Sequence, residues 1–335
     1  MNILEVRDLK TYFFTRRGIV KAVDGITFDL KKGEVLCLVG ESGSGKTVSA
    51  LSILGLVDQP GRIIEGEVLL DGENMREYSK EKLRRIRGKR IAMVFQDPFE
   101  SLNPVFTIGD QITEPMRLHL GLSDAEAKDK ARDLMERVGI SSAEEKLKSY
   151  PHEFSGGMNQ RAMIAMALSC DPYILIADEP TSALDVTTQS QFLELLMGLK
   201  KERETSMIFI THDMGIVAEI ADRIVVMYAG KVMERGTVWQ IFDNPRHPYT
   251  IGLMNCLPDV MGYSGKKLTP IPGVIPSLVN PPTGCVFHPR CSFAKDICSS
   301  DAPQEAKVQE GHFSACHFWD SRGVVKASED VRVGK

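Results

Sequence analysis

The 335-residue sequence predicts an α/β fold in which a mostly parallel sheet is covered by helices. Residues 173–234 alternate short apolar segments ("YILIADEP", "SMIFITHD", "DRIVVMYAGKVME") with helical patterns. An earlier apolar segment, "EVLCLVG", ends in a glycine-rich loop that an apolar helix pattern follows. Such alternation is typical of parallel sheets with helices on both faces. The chain is long enough to bury this core and to carry an appended segment.

The remaining elements follow in chain order. The first 35 residues alternate apolar and polar side chains between turn signals, which predicts short antiparallel strands. The helix pattern "KTVSALSILGLV" precedes a β pattern near residues 66–72, and residues 97–168 then favour helices. After Gly236 the sequence becomes proline-rich with few regular periods. We therefore expect a first domain at 1–240, with a helical subdomain at about 97–168, and a loop-rich C-terminal extension at 241–335.

Composition narrows the class of protein. The net charge is −4, which gives no support to a protein that coats nucleic acid. The basic run from Lys80 to Arg90 is interpreted as a solvated helix face that leads into a strand. No apolar run approaches the roughly 18 residues that a membrane span needs, and the first ten residues lack a signal-peptide layout. We expect a cytosolic chain whose cysteines are not paired in disulfides.

The glycine-rich loop "GESGSGKT" fits the pattern G-x-x-x-x-G-K-[ST] between a predicted strand and a predicted helix. Its glycines allow successive backbone N–H groups to face a β-phosphate. Lys46 is expected to reach the β- and γ-phosphate oxygens, and the Thr47 hydroxyl to bind Mg²⁺. The predicted phosphate loop comprises Gly40, Glu41, Ser42, Gly43, Ser44, Gly45, Lys46 and Thr47.

Two adjacent carboxylates follow the apolar segment "YILIA". Ligands of α/β sheets bind at the carboxyl ends of the strands. We expect Asp178 to hold Mg²⁺ through water and Glu179 to orient or deprotonate the water that attacks the γ-phosphate. Two acids after a strand are often only a solvated turn, so this interpretation depends on the phosphate loop.

A second candidate phosphate site lies about a hundred residues after the first. In "HEFSGGMNQR", Ser155, Gly156 and Gly157 directly precede the helical pattern "MIAMAL". The N-terminus of a helix offers N–H groups and a partial positive charge to a phosphate. One nucleotide has no evident need of both sites.

Taken in order and spacing, these motifs resemble the ATPase subunits of ABC-type transporters over roughly residues 1–240, which implies a P-loop ATPase core that uses ATP and Mg²⁺, with an antiparallel β subdomain and a helical subdomain. The resemblance rests on "GESGSGKT", "SGG", "ILIADEP", "SALD" from Ser182 to Asp185, and "ITHD". One departure is visible, because the signature reads Phe-Ser-Gly-Gly-Met where Leu-Ser-Gly-Gly-Gln is commonest. In the family two subunits pack head to tail, so Ser155–Gly157 would contact the nucleotide of a neighbouring chain.

The same resemblance implies roles for residues that would otherwise be unremarkable. Gln96, in "MVFQDP", corresponds to the family's Q-loop, which ligates Mg²⁺ and senses the γ-phosphate. His212 corresponds to the switch histidine that contacts the γ-phosphate during catalysis. Asp185 is placed among the nucleotide-site residues at the dimer interface. Phe13 aligns with the aromatic residue that stacks on adenine, with Tyr12 adjacent, and this role is favoured over that of a structural aromatic in the small sheet.

A narrower resemblance covers essentially the whole chain. "YPHEFSGGM", "NPRHPYTIGLMNCLPD" and "GCVFHPRCSFAKDIC" resemble the ATPase subunits of dipeptide/oligopeptide and nickel importers. This implies a peripheral protein on the cytoplasmic face of the membrane, with two membrane permeases coupled near residues 97–115. Its other partners would be a second ATPase subunit, identical or related, and indirectly an extracytoplasmic peptide-binding protein, with no nucleic acid.

Three alternatives stay open at this point. Nickel could be the cargo, since the resemblance includes nickel importers. A soluble ATPase of DNA repair or translation is disfavoured, because such proteins usually carry two cassettes, a long coiled coil or basic arms. A regulator that binds nucleotide without turnover is disfavoured by Glu179 and His212.

Four of the seven cysteines lie within 32 residues of the extension, with the spacing Cys285-x5-Cys291-x6-Cys298-x17-Cys316. Zinc is open because several histidines lie nearby (His288, His312 and His317), but the C-x2-C pattern usual for zinc is absent. Four thiolates also suit an iron–sulfur cluster. The resemblance favours a structural [4Fe-4S] cluster, since some importer ATPases carry one. The other three cysteines are expected to be ordinary buried residues: Cys37, Cys170 and Cys256.

Overall fold

The computed structural model describes residues 1–182, 186–256 and 270–320. The chain forms two compact units. Unit 1 contains Met1, residues 31–34 and residues 77–210, and unit 2 contains residues 2–30, residues 35–76 and the chain from residue 211 onward. None of the described helices has the length and apolar character needed to cross a membrane.

Unit 1 is built on three parallel strands: β6 (Ile91–Val94), β7 (Ile174–Asp178) and β8 (Ser206–Thr211). β7 lies between the other two, with Ile174 opposite Ile91 on one side and Ser206 on the other. Every residue of β7 and β8 is buried. This burial is expected of strands covered on both faces, and it explains their continuous apolar runs. The parallel arrangement predicted from the sequence is confirmed.

The helical pattern predicted between residues 97 and 168 is observed as five helices, from Pro98 to Ala167. The helices of unit 1 are α2 (Lys80–Ile86), α3 (Pro98–Ser101), α4 (Ile108–Leu120), α5 (Asp124–Arg137), α6 (Ala143–Lys146), α7 (Gly156–Ala167) and α8 (Val186–Glu202). Hydroxyl N-caps begin four of them, because the side chains of Ser79, Thr107, Ser123 and Ser155 each accept a backbone N–H of the first turn. The basic run at Lys80 forms α2 and then enters β6, as expected.

Unit 2 contains an antiparallel sheet of strand order β2-β1-β4-β5. Its strands are β1 (Asn2–Thr15), β2 (Gly18–Lys31), β4 (Gly61–Leu70) and β5 (Glu73–Asn74). The prediction of short strands was wrong for β1 and β2, which have 14 residues each. The register of β1 against β4 shifts after Arg7, where Asp8 has a φ of 44°. This bulge interrupts the alternation of side chains, so one long strand has the pattern of two short ones.

A second group of paired strands in unit 2 has the order β11-β12-β10-β9-β3. The strands are β3 (Val35–Val39), β9 (Arg223–Tyr228), β10 (Lys231–Thr237), β11 (Ala306–Gln309) and β12 (His312–Ser314). β3 and β9 are parallel, whereas β9 and β10 are antiparallel. "DRIVVMYAGKVME" is therefore a hairpin and not a single strand, because Ala229 and Gly230 both have positive φ and turn the chain.

The C-terminal extension carries more regular structure than the sequence indicates. The helices of unit 2 are α1 (Lys46–Leu54), α9 (Met214–Ile220), α10 (Val238–Asp243), α11 (Pro248–Asn255) and α12 (Asp296–Ser300). Fully buried Glu234 on β10 attaches the extension to the sheet. Its carboxylate lies 2.7 Å from His312 Nε2 and accepts the N–H groups of Arg246 and His247.

Candidate functional site

The phosphate loop joins β3 to α1 in unit 2, and two of its glycines, Gly40 and Gly45, leave no room for a side chain. Gly40 has a φ of 151° and Gly45 a φ of 102°. A side chain at Gly40 would collide with the carbonyl oxygen of Met227, and one at Gly45 with that of Ala22. The loop is therefore pressed against neighbouring backbone, and Gly45 forms the N-cap of α1.

The polar groups of the loop suit an anion. Lys46 is buried, and its ammonium donates to the carbonyl oxygens of Gly40 and Glu41 at 2.7 and 3.1 Å. The buried Ser44 hydroxyl has no hydrogen-bond partner among the described residues. Thr47 is exposed in the first turn of α1. A buried ammonium, an orphaned hydroxyl and the N-terminus of a helix together can hold the phosphates of a nucleotide.

Two residues of the extension hold the second residue of the loop. The Glu41 backbone N–H donates to the Tyr249 hydroxyl at 2.9 Å. The Glu41 carboxylate accepts two hydrogen bonds from the Arg290 guanidinium, at 2.6 and 3.0 Å. Sequence reasoning missed both residues. The only signal was the unexplained arginine between two cysteines in "CVFHPRC".

At the carboxyl end of β7, unit 1 brings Gln96 and Glu179 together. Asp178 is buried, and Glu179 is half-buried with a φ of 44°. The Glu179 N–H donates to the Ile210 carbonyl at 2.9 Å, which fixes the backbone. The Gln96 side-chain amide donates to the Glu179 carboxylate at 3.3 Å. A carboxylate in this position can accept a proton from water, and the Gln96 amide can orient the carboxylate.

Ser155, Gly156 and Gly157 form the exposed N-terminus of α7 in unit 1. The Ser155 hydroxyl accepts the Met158 N–H at 3.3 Å, and both Ser155 and Gly156 are exposed. A side chain at Gly157 would meet no described atom within 4 Å. The described part of this chain therefore does not require glycine there, and the helix end can approach a ligand closely.

The remaining predicted nucleotide residues occupy unit 2 or lie outside the described residues. His212 is exposed directly after β8. Tyr12 and Phe13 are consecutive on β1 and therefore face opposite sides of the sheet. The Tyr12 hydroxyl donates to Asp24 at 2.6 Å, and burial together with this carboxylate raises the pKa of Tyr12 to about 12. Asp185 lies outside the described residues.

The four cysteines of the extension line one cavity. It is also lined by aromatic and histidine side chains, including Phe287, His288, His317 and Phe318. The Cys285 N–H donates to the Cys298 carbonyl at 2.8 Å, which joins two of the cysteine segments. Burial is the main reason that the pKa of Cys285 is raised, and it raises the pKa values of Cys291 and Cys316 to about 11.

Other outcomes concern metals and the remaining thiols. Among the residues that the structure describes, no three His, Cys, Asp or Glu side chains are arranged to hold a metal ion. His312 is buried against Glu234 and does not line the cysteine cavity. Cys37 and Cys170 are buried as expected, but Cys256 is exposed. That prediction was wrong because Cys256 caps α11 beside the exposed Asn255, where the helix leaves the core.

Comparisons with known proteins agree with this architecture. The family described as ABC transporter matches residues 23–182, and the one described as oligopeptide/dipeptide transporter, C-terminal region, matches residues 233–298. A probable peptide ABC transporter ATP-binding protein of Sinorhizobium fredii is 49% identical, over 96% of each chain. The oligopeptide transport ATP-binding protein AppD of Bacillus subtilis is 47% identical, over 96% of this chain and 98% of its own. The dipeptide transport ATP-binding protein DppD of Escherichia coli is 44% identical, over 95% and 97%.

Among solved structures, the dimeric ATP-binding cassette MJ0796 bound to ADP and phosphate is similar with a TM-score of 0.64. It is 26% identical and covers 70% of this chain and 98% of its own. The fold class predicted from the sequence is therefore confirmed. The phosphate loop, the paired Gln96 and Glu179 and the cysteine-bearing extension all agree with these relatives. The chain belongs to the ATP-binding subunits of the peptide ABC transporter family.

Proposed function

We propose that this chain binds and hydrolyses ATP to drive the uptake of di- or oligopeptides across the cytoplasmic membrane. The chain is an ABC-type ATPase by family. The observation that carries the proposal is the phosphate loop with its buried Lys46 and its orphaned Ser44 hydroxyl. The names of the relatives, which are peptide, oligopeptide and dipeptide transport proteins, support peptides as the cargo.

In this proposal each polar residue has one role in hydrolysis. Lys46 binds the β- and γ-phosphate oxygens, and the Glu179 carboxylate accepts the proton of the attacking water. His212 contacts the γ-phosphate. Hydroxyl, amide and carboxylate oxygens are the ligands that Mg²⁺ prefers, so the metal would be held by Thr47, Gln96 and Asp178. When bound, Mg²⁺ neutralises charge that develops on the phosphate oxygens.

The exposed end of α7 supports a site shared between two chains. Ser155, Gly156 and Gly157 point outward, and the described part of the chain leaves space beside Gly157. We propose that they contact ATP held by a second ATPase subunit, with Asp185 at the same interface. The ABC cassette MJ0796 is itself dimeric. Adenine would stack on Phe13 or Tyr12, but not on both, because the two side chains face opposite sides of β1.

The working assembly would contain a second ATPase subunit, identical or related, and two membrane permeases, with a peptide-binding protein outside the membrane. This chain would lie on the cytoplasmic face. We also propose that residues 1–240 form the ATPase domain, with a helical subdomain at about 97–168 that contacts the permeases. Residues 241–335 would form the importer-type extension.

Uptake measurements in cells that lack this gene test the proposal. Uptake of a labelled dipeptide and a labelled oligopeptide should be lost, restored by the wild-type chain and not restored by Lys46→Ala. Lys46→Ala removes the ammonium that binds phosphate while leaving the glycines of the loop intact. Uptake of labelled nickel, measured in the same cells, is the control for cargo. Loss of nickel uptake with normal peptide uptake would contradict the peptide proposal and favour the nickel alternative.

We further propose that Cys285, Cys291, Cys298 and Cys316 hold a structural [4Fe-4S] cluster. Support comes from the single cavity that all four line. A zinc ion would need its thiolates about 2.3 Å from one point, and zinc remains the alternative for the same four cysteines. A four-iron cluster takes one thiolate at each iron, so its ligands are spread more widely. The raised pKa values of three of these thiols mean that binding would displace protons.

Metal analysis after anaerobic purification tests the cluster. We expect about four irons per chain with sulfide and a broad visible absorption. The Cys291→Ser variant should lose the iron and the visible absorption. Cys256→Ser changes an exposed cysteine outside the cavity and should keep the iron and the absorption. One zinc per chain without colour would contradict the cluster and leave the ATPase proposal unaffected.

A further inference from the structure

The phosphate loop carries an acidic residue, although a negative charge in this loop opposes the binding of phosphate. Glu41 is the second residue of the loop, and its side chain is 27% exposed. A carboxylate there repels the phosphates of a nucleotide, and a partly desolvated site screens this repulsion poorly. An opposite charge fixed beside Glu41 would remove the penalty.

Arg290 of the extension supplies that charge in a fixed geometry. Its side chain is only 4% exposed and forms a two-pronged ion pair with Glu41. The rest of the guanidinium is also bound, since Nε donates to the Pro272 carbonyl at 2.8 Å and Nη1 to the Tyr228 hydroxyl at 3.2 Å. Two parallel hydrogen bonds to a carboxylate fix orientation as well as charge.

The backbone of Glu41 is held by the same part of the molecule. Its N–H donates to Tyr249, whose ring packs against Tyr228 and Phe287 with centroid separations of 4.7 and 5.3 Å. Phe287 lies three residues before Arg290. One aromatic cluster therefore supports both the hydroxyl that fixes the loop's backbone and the segment that carries the arginine.

We propose that Arg290 is a positioning residue for ATP binding, which neutralises Glu41 and holds it away from the phosphates. This inference rests on the proposed function of residues 40–47 as the phosphate loop. It assigns to the extension an effect on nucleotide affinity, exerted through a segment that also carries the cavity-lining Phe287 and Cys291. Arg290 itself does not contact the nucleotide in this proposal.

The test measures ATP and AMP affinity in the full-length chain purified anaerobically. Arg290→Met removes the charge at similar length and should weaken ATP binding about tenfold, the effect expected of one partly screened charge. The binding of AMP, which carries fewer negative charges than ATP, should be weakened less. Glu41→Gln combined with Arg290→Met should restore most of the ATP affinity, because the repelling carboxylate is then absent. Arg290→Lys should fall between wild type and Arg290→Met.

A matched control is available in the same unit. Arg235 on β10 forms a two-pronged pair with Glu305, with both hydrogen bonds at 2.6 Å, and it also attaches the extension. Arg235→Met should therefore lower thermal stability without changing ATP affinity. Lys46→Ala should abolish ATP binding. If it does not, the phosphate loop itself is misassigned and the proposed function fails.

Two results would overturn the inference while leaving the phosphate loop assignment intact. In the first, Arg290→Met binds ATP within twofold of wild type. In the second, adding Glu41→Gln does not restore the ATP affinity that Arg290→Met loses. Should Arg290→Met not fold, Glu41→Gln alone decides. It leaves an unpaired positive charge near the phosphates, so ATP binding should tighten and become more sensitive to salt. Unchanged or weaker binding would contradict the proposal, because a purely structural ion pair predicts that result.

Discussion

At the scale of single residues, Glu179 combines a polar side chain with a backbone conformation that L-residues rarely adopt. Such conformations cost on the order of 1–3 kcal/mol and persist where the surroundings fix them. Here the residue follows a fully buried strand, and its N–H is bound to Ile210 on the next strand. The carboxylate is therefore directed by β7 and β8, and it reaches Gln96.

Replacing Glu179 by Gln tests its proposed role. The amide keeps the size of the side chain and its contact to Gln96 but cannot accept a proton. We expect ATP to bind normally and hydrolysis to fall about 10²- to 10⁴-fold, the range for loss of a general base. Phosphate release and retained nucleotide are measured on the same sample.

Glu204 provides the control for this variant. It is exposed, lies in unit 1 and also has a positive φ, of 52°. Its ion pair with Lys32 is exposed and contributes little to stability. Glu204→Gln should hydrolyse ATP at the wild-type rate. Equal rates for the two variants would show that Glu179 is not the base.

At the scale of elements, the first turn of α7 differs from the other two serine-capped helix starts in unit 1. Ser79 caps α2 with an acidic residue, Glu81, in the first turn. Ser123 caps α5 with a reciprocal capping box, in which Glu126 returns to the Ser123 N–H. Ser155 caps α7 without an acidic residue in the first turn. An acidic side chain there would occupy the place of a bound anion and would repel the anion. The start of α7 is thus left open to a negatively charged group from outside the chain.

Ser155→Arg, compared with Ser123→Arg, tests whether this group belongs to a neighbour's nucleotide. Each variant loses a serine cap, which is typically worth about 1 kcal/mol, so both chains are destabilised. The isolated Ser155→Arg chain should bind ATP as wild type, because its own phosphate loop is intact. In the assembled transporter its hydrolysis should be severely reduced, whereas Ser123→Arg should remain active. Loss of ATP binding by the isolated Ser155→Arg chain is the result that the two-chain proposal does not allow.

At the scale of the whole molecule, what the sequence predicted depended on the range of the interactions. β7 and the phosphate loop were predictable, because buried runs and glycine spacing are local signals. The pair of Glu41 and Arg290 was not, since 249 residues separate them and neither residue type indicates the other. The length of β1 was missed for a related reason, because only its partner strand shows that the bulge at Asp8 continues the pairing. The fold was thus largely predictable, while the support of the site was not.

The pairing of β12 with β10 has a consequence for solubility. Glu234 and Arg235 lie opposite Ser314 and Phe313, and the Ala315 N–H donates to the Met233 carbonyl. Without β12, the outer side of β10 would present unpaired N–H and C=O groups, a template on which strands of other molecules can add. The extension therefore moves the edge of the sheet from the seven-residue β10 to the four-residue β11, and a very short edge strand is a poorer template for strand addition. A chain shortened to about residue 240 would keep every ATP motif and lose that protection.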